Sequence, residues 1–65
     1  MIIIIDVKDN THIRIPNLEY LPRKGDIVEY EDDNTAISGV VISVIHSIYK
    51  STNDILYKPI IIKVY

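Results

Sequence analysis

The stretch IIIIDV, residues 2–7, decides the fold class because isoleucine and valine are stiff at χ1 and favour strands over helices. Isoleucine is frequent along the whole chain, and no window keeps an apolar stripe at positions i, i+3, i+4 and i+7 between capping residues. The sequence therefore predicts an all-β protein with little or no helix.

Turn-forming residues divide the rest of the chain into further strands. The segments 8–10 (KDN), 32–35 (DDNT) and 51–54 (STND) have the composition of turns, and 17–24 is a connector long enough to turn a corner. The predicted strands are residues 2–7, 11–15, 26–31, 36–50 and 55–65. Gly39 suggests a bulge in the fourth strand, and Pro59, which cannot donate to a ladder, interrupts the fifth. We expect one domain, residues 1–65, folded as a small five-stranded barrel or two-layer sheet.

Composition narrows the class of function. A chain of 65 residues buries only roughly 60% of its unfolded surface, and without cysteine it has no disulfide or thiolate ligand to stabilise it. Oligomerisation is a common remedy for so small a core. The net charge of −2 argues against a domain that binds nucleic acid through phosphate contacts. The apolar run at residues 1–5 is too short for a signal peptide or a membrane span, so we expect a cytoplasmic protein.

The stretch LPRKGDIVEY, residues 21–30, has the composition of a structural corner. Pro22 presets φ for a turn, Gly25 permits a backbone angle that side chains disfavour, and Asp26 can accept bonds from the turn amides. Arg23 and Lys24 are then solvated because turns are exposed.

Three segments of the sequence, LPRKGDIV, SGVVISVIH and PIIIKVY, together resemble small SH3-like β-barrels over about residues 21–65. The matching positions are Pro22, Gly25, Asp26, Val28, Gly39, Val41 and Val44. The pattern is also similar to short uncharacterised proteins of bacteria and phages, and in part to KOW-type RNA-binding modules. Those modules carry basic residues around the glycine, where this chain has EDDNTAIS (31–38). The resemblance implies a barrel architecture in the cytoplasm of a bacterial host, and little chemistry.

No group of residues predicts catalysis. His46 would share an apolar strand face with Val40, Ile42 and Val44, which indicates a packed residue, and nothing groups His12 with a nucleophile. The segment EYEDDN, 29–34, lacks the ligand spacing of a calcium loop and is better interpreted as a solvated turn. Phosphate-loop, dinucleotide and zinc patterns do not occur. We therefore expect no enzyme activity, no metal and no cofactor.

The first and last predicted strands suggest an interface. In the first, both faces are apolar; in the last, one face carries Tyr57, Ile61, Lys63 and Tyr65. A strand in a one-layer barrel has a single inward face, and the two strands can lie side by side, so an apolar strip is exposed unless something covers it. The alternative is that the connector covers the strip with Leu18 and Tyr20. The predicted interface residues are Ile2, Ile4, Tyr57, Ile61, Lys63 and Tyr65.

Three classes of function follow from this sequence. The first is a non-enzymatic protein–protein binding module that forms a homo-oligomer or binds another protein, such as a phage or mobile-element protein that inhibits a host defence protein or forms part of a virion. The second is a nucleic-acid-binding barrel, and the third binds a small ligand between protomers. The predicted contacts for the second and third classes are Arg14, Arg23, Lys24, His46, Tyr49 and Lys58.

Overall fold

The computed structural model describes all 65 residues and contains strands but no helix, so the all-β prediction is confirmed. The strands are β1 (Ile2–Asp6), β2 (Thr11–Ile15), β3 (Ile27–Glu31), β4 (Ala36–Ile45), β5 (Ile48–Lys50), β6 (Ile55–Tyr57) and β7 (Ile60–Val64). Five of them form one sheet in the order β2-β1-β7-β4-β3, which curls into a half-barrel. The strands β5 and β6 form a separate two-stranded sheet.

The two longest predicted strands are each split in the structure, which raises the number of strands from five to seven. The split in the last strand follows from Pro59, which has no N–H to donate to the ladder. The ladder between β7 and β1 starts at the next residue, Ile60, whose amide donates to the carbonyl of Met1 at 3.1 Å. The amide of Lys58 still donates to the carbonyl of Ser47 at 3.0 Å. The strands β4 and β5 therefore form the first arm of one long interrupted hairpin, and β6 and β7 form its second arm.

The centre of the sheet is a parallel ladder between β1 and β7, flanked by antiparallel ladders. Ile4 lies opposite Ile62, and Asp6 lies opposite Val64. The structure thus places the first and last strands side by side, and it brings the two runs of isoleucine in the sequence into register.

The core consists of seven buried apolar side chains on the inner face of the curled sheet: Ile2, Ile4, Ile13, Ile37, Val41, Ile62 and Val64. Ile2 and Ile4 are only 2% exposed, which corrects the prediction that they lie at an interface. Alternation along β1 directs positions 2, 4 and 6 inward and leaves Ile3 and Ile5 half-buried on the other face. Four consecutive isoleucines conceal this difference in the sequence.

A register shift between Val41 and Ser43 changes which residues of β4 face the core. Val41 points inward before the shift and Val44 packs on the core after it. The predicted common face of Val40, Ile42, Val44 and His46 is therefore wrong: Val40 and Ile42 are exposed, and His46 lies exposed beyond the end of the strand. The bulge lies after Val41 rather than at Gly39.

Both glycines have specific structural roles. A Cβ on Gly39 would lie 2.7 Å from the backbone oxygen of Tyr65, a residue that exchanges two backbone hydrogen bonds with Val40. Gly25 has a φ of +96°, which L side chains rarely adopt, and its amide donates to the carbonyl of Val41 at 2.8 Å. Asp26 accepts a bond from the amide of Arg23 at 2.8 Å, which closes the turn that the sequence predicted.

We expect Gly39→Ala and Gly25→Ala each to lower the free energy of unfolding by about 1–3 kcal/mol, the first through overpacking against backbone and the second through backbone strain. Lys24→Ala, in the same turn as Gly25, is the control and should change stability by no more than about 0.5 kcal/mol. Urea denaturation of the three variants measures the difference. Equal stabilities for all three would contradict these roles.

Candidate protein-binding site

The hairpin formed by β5 and β6, residues 48–57, carries an unusual concentration of exposed apolar side chains. Every residue of both strands is exposed, and five large apolar or aromatic side chains are between 53% and 76% exposed: Ile48, Tyr49, Ile55, Leu56 and Tyr57. The strand register places Ile48, Tyr57, Lys50 and Ile55 on one face and the pair Tyr49 and Leu56 on the other. Both faces of the hairpin are therefore apolar.

The hairpin projects beyond the half-barrel because the arms that form it are longer than the neighbouring strands. The strands β1, β2 and β3 have five residues each, whereas the first arm runs from Ala36 to Lys50 with one short interruption. The molecule measures 40 × 25 × 23 Å, with a radius of gyration of 13.0 Å. A compact chain of this length would have a radius of about 10.7 Å. The elongation shows that the hairpin is not folded back onto the sheet.

A second feature is an open seam between β2 and β3, which are the two edges of the curled sheet. No ladder joins these strands, and an apolar groove of about 550 Å³ lies between them. Ile15 lines the groove from β2, Val28 and Tyr30 line it from β3, and Leu18 and Leu21 of the connector line it between them. The seam leaves one side of the core incompletely covered, because Ile15, Leu18, Val28 and Tyr30 are only partly buried.

The connector does not cover the outer face of the sheet, which was the alternative to an interface. Leu18 packs against the core on the inner side, and Tyr20 is exposed. The outer face keeps a row of half-buried isoleucines, in which Ile3 of β1 lies opposite Ile61 of β7 and Ile61 lies opposite Ile45 of β4.

The remaining predicted interface residues do not form one strip. Tyr57 is on the hairpin, ahead of β7, whereas Tyr65 follows β7 at its opposite end. Ile61 and Lys63 lie half-buried on the outer face between them. Tyr65 already has a partner within its own chain, because the ammonium of Lys8 lies 5.6 Å from the centre of its ring. Lys8 also forms an ion pair with buried Asp6 at 3.6 Å and donates to the carbonyl of Ser38 at 3.3 Å.

The predicted ligand and nucleic-acid contacts are divided among four places. Arg23, Lys24 and His46 line a cavity of about 1100 Å³ beside the connector, together with the acids Glu19 and Asp26. A smaller cavity of about 360 Å³ at the base of the hairpin is lined by His46 and Lys58. Arg14 lies exposed on the outer face, opposite Ile3, and Tyr49 is on the hairpin. The basic residues therefore do not form a continuous basic surface.

The acidic turn after β3 uses its central carboxylate for structure. Asp32 accepts hydrogen bonds from the amides of Asn34 and Thr35, each at 2.8 Å, and from the hydroxyl of Tyr30 at 2.6 Å. The bond from Tyr30 is the main reason that the pKa of Asp32 lies below its ordinary value, and the same bond raises the pKa of Tyr30. No group of three or more histidine, aspartate or glutamate side chains lies close enough to hold a metal ion.

No protein-family model, curated protein or solved structure matches this chain. The structure has no helix long and apolar enough to cross a membrane.

The sequence pattern does not reveal the hairpin and the seam as surfaces. The pattern predicts Tyr57 at an interface and Tyr49 as a possible ligand or nucleic-acid contact. It does not predict a role for Ile48, Ile55 and Leu56, because it places them in long strands of the main sheet. Pro59 is the one residue in the sequence that indicates where the hairpin of residues 48–57 separates from the main sheet.

We expect the stability of the protein to fall as the pH is lowered below about 4, because Asp32 has a lowered pKa in the folded state and stabilises that state only while ionised. Tyr30→Phe removes the largest cause of the lowered pKa while keeping the ring that packs on the core. The melting temperature of this variant should therefore depend less on pH between about 5 and 2 than that of the wild type. Parallel pH profiles for the two proteins would contradict the role of this hydrogen bond.

Proposed function

We propose that this protein acts by binding another protein chain, with the hairpin as its principal contact surface, and that it does so without catalysing a reaction. The observation that carries this proposal is the exposure of five large apolar side chains on both faces of a ribbon that projects from the sheet. Contiguous apolar surface of this kind in a small protein is typical of interaction sites, and tyrosine is enriched at such interfaces.

Stability gives a second argument for a partner. Seven apolar side chains are buried in the core, whereas thirteen large apolar or aromatic side chains are exposed. A two-stranded hairpin alone is at best marginally stable in water, and β5 and β6 pair only with each other. A bound partner would supply the packing that the half-barrel does not provide.

The energies are of the right size for reversible association. Burial of a large apolar side chain contributes about 1.5–3 kcal/mol when it goes from fully exposed to fully buried. Each of the five hairpin side chains is more than half exposed, so their complete burial would contribute about 5–10 kcal/mol. The cost of association is about 4–15 kcal/mol, so the hairpin needs further contacts from elsewhere on the surface to form a stable complex.

Self-association can be measured directly on the purified protein, without knowledge of any other partner. We expect the mass in solution, measured by light scattering or sedimentation over a wide concentration range, to rise above that of one 7.5 kDa chain. The double variant Leu56→Thr and Tyr57→Thr keeps residue types that suit strands but removes apolar surface. With about 1 kcal/mol lost at each site, its dissociation constant should rise about thirtyfold for a contact that buries one hairpin and about a thousandfold for a dimer that buries two.

A matched control changes two exposed apolar residues elsewhere on the molecule. Val7 and Val40 are exposed and lie outside both the hairpin and the groove at the seam. The double variant Val7→Thr and Val40→Thr should associate like the wild type. A wild type that remains monomeric at every concentration, or equal weakening by both double variants, would contradict the proposed function.

A further inference from the structure

We propose that the hairpin of one copy docks in the open seam between β2 and β3 of a second copy and completes the half-barrel there. This inference rests on the proposed function, because it requires that the hairpin binds protein, and it adds the identity of the partner and the surface that receives the hairpin.

The seam is an acceptor that the molecule does not fill by itself. Its groove of about 550 Å³ has the size of a pocket for a small molecule, about 300–1000 Å³, so it can receive side chains of a docked hairpin rather than the whole hairpin. Eight of its eleven lining residues are hydrophobic, and none of them belongs to residues 48–57. The hairpin of the same chain therefore leaves this groove open, and a hairpin from another copy is free to enter it.

The hairpin is a donor of matching chemistry. Its face with Tyr49 and Leu56 would meet the apolar floor of the groove, at the partly covered side of the core. Lys50 lies on the opposite face of the hairpin, and Glu29 and Glu31 point away from the core in β3. This orientation therefore places Lys50 on the same side of the sheet as the two glutamates.

Charge complementarity orients the hairpin in the seam. The strand β3, on one side of the seam, carries Glu29 and Glu31 and no basic residue. The strands of the hairpin carry Lys50 and no acidic residue. On the other side of the seam, β2 carries Arg14 and His12. Because opposite charges favour contact and like charges oppose it, β5, which contains Lys50, would lie beside β3, and the uncharged β6 would lie beside β2.

The number of binding surfaces on each copy determines whether association stops at a closed complex or continues into a filament. Each chain has one hairpin and one seam, so a complex that fills both must be closed, and the smallest closed complex is a dimer in which two copies exchange hairpins. An unclosed series of the same contacts would grow into a filament.

Cross-linking tests the contact directly, since the chain has no native cysteine. One sample of protein carries Ile55→Cys on the hairpin, and a second carries Leu21→Cys at the seam. The two samples are mixed and treated with a short bifunctional thiol reagent. We expect cross-linked pairs that contain one copy of each variant. Ser38→Cys on the exposed outer side of β4 replaces the seam variant in the control and should give no mixed pair with Ile55→Cys.

The other outcomes of this experiment overturn the proposal in distinguishable ways. Pairs formed only between two Ile55→Cys copies would show that hairpins bind each other, which keeps the proposed function and removes the seam as the acceptor. Equally efficient pairing with the Ser38→Cys control would place the hairpin on the outer face. A third sample carries both Ile55→Cys and Leu21→Cys on one chain, and a cross-link confined to that single chain would mean that the hairpin folds onto its own seam.

A charge exchange tests the orientation with a second measurement. Lys50→Glu places a like charge beside Glu29 and should raise the dissociation constant by about fivefold or more. A chain that carries both Lys50→Glu and Glu29→Lys restores the opposite charges across the contact and should associate more tightly than the single variant. If the double variant is no tighter than Lys50→Glu alone, β5 does not lie beside β3.

Discussion

The structure depends on the parallel ladder between β1 and β7. This ladder aligns the isoleucines of residues 2–4 with those of residues 60–62 and so forms the centre of a core that no disulfide supports. It also fixes the extent of the sheet, because β1 begins at Ile2, opposite Ile60. Beyond that point β5 and β6 pair only with each other, and residues 48–57 extend into solvent.

The same short strands explain why the barrel stays open. Five strands of limited length curl around seven buried side chains, but β2 and β3 do not pair. Unpaired edges and exposed apolar ribbons favour association with other chains, and natural proteins normally shorten, charge or cover them. This chain has charged residues on both edges, with Glu29 and Glu31 on β3 and Arg14 on β2, while the hairpin carries Lys50 in β5 and Asp54 in its turn. The distribution favours a specific contact over uncontrolled edge-to-edge pairing.

The local features of the fold were predictable from sequence because each depends on neighbouring residues. The strands at 2–7, 11–15 and 26–31 agree with the structure to within one residue at each end, and Gly25 and Asp26 form the expected corner. Which face of the first strand is buried could not be predicted, since Ile2, Ile3, Ile4 and Ile5 are identical side chains. The register shift after Val41 reverses the alternation in β4, and a shift of one residue leaves no mark where Val40, Val41 and Ile42 offer an apolar side chain in either register. The seam and the hairpin depend on strand order and relative strand length, which are properties of the assembled sheet.

Hydrogen–deuterium exchange at low and high protein concentration tests the central claim that the hairpin and the seam are buried together on association. We expect the amides of the hairpin and those of the seam, at residues 18–30, to become slower to exchange as the concentration rises. The turn at residues 32–35 has its own hydrogen bonds to Asp32 and is the internal reference, with unchanged exchange. Exchange that is independent of concentration in both the hairpin and the seam, or slowed only on the outer face around Ile61, would contradict the account.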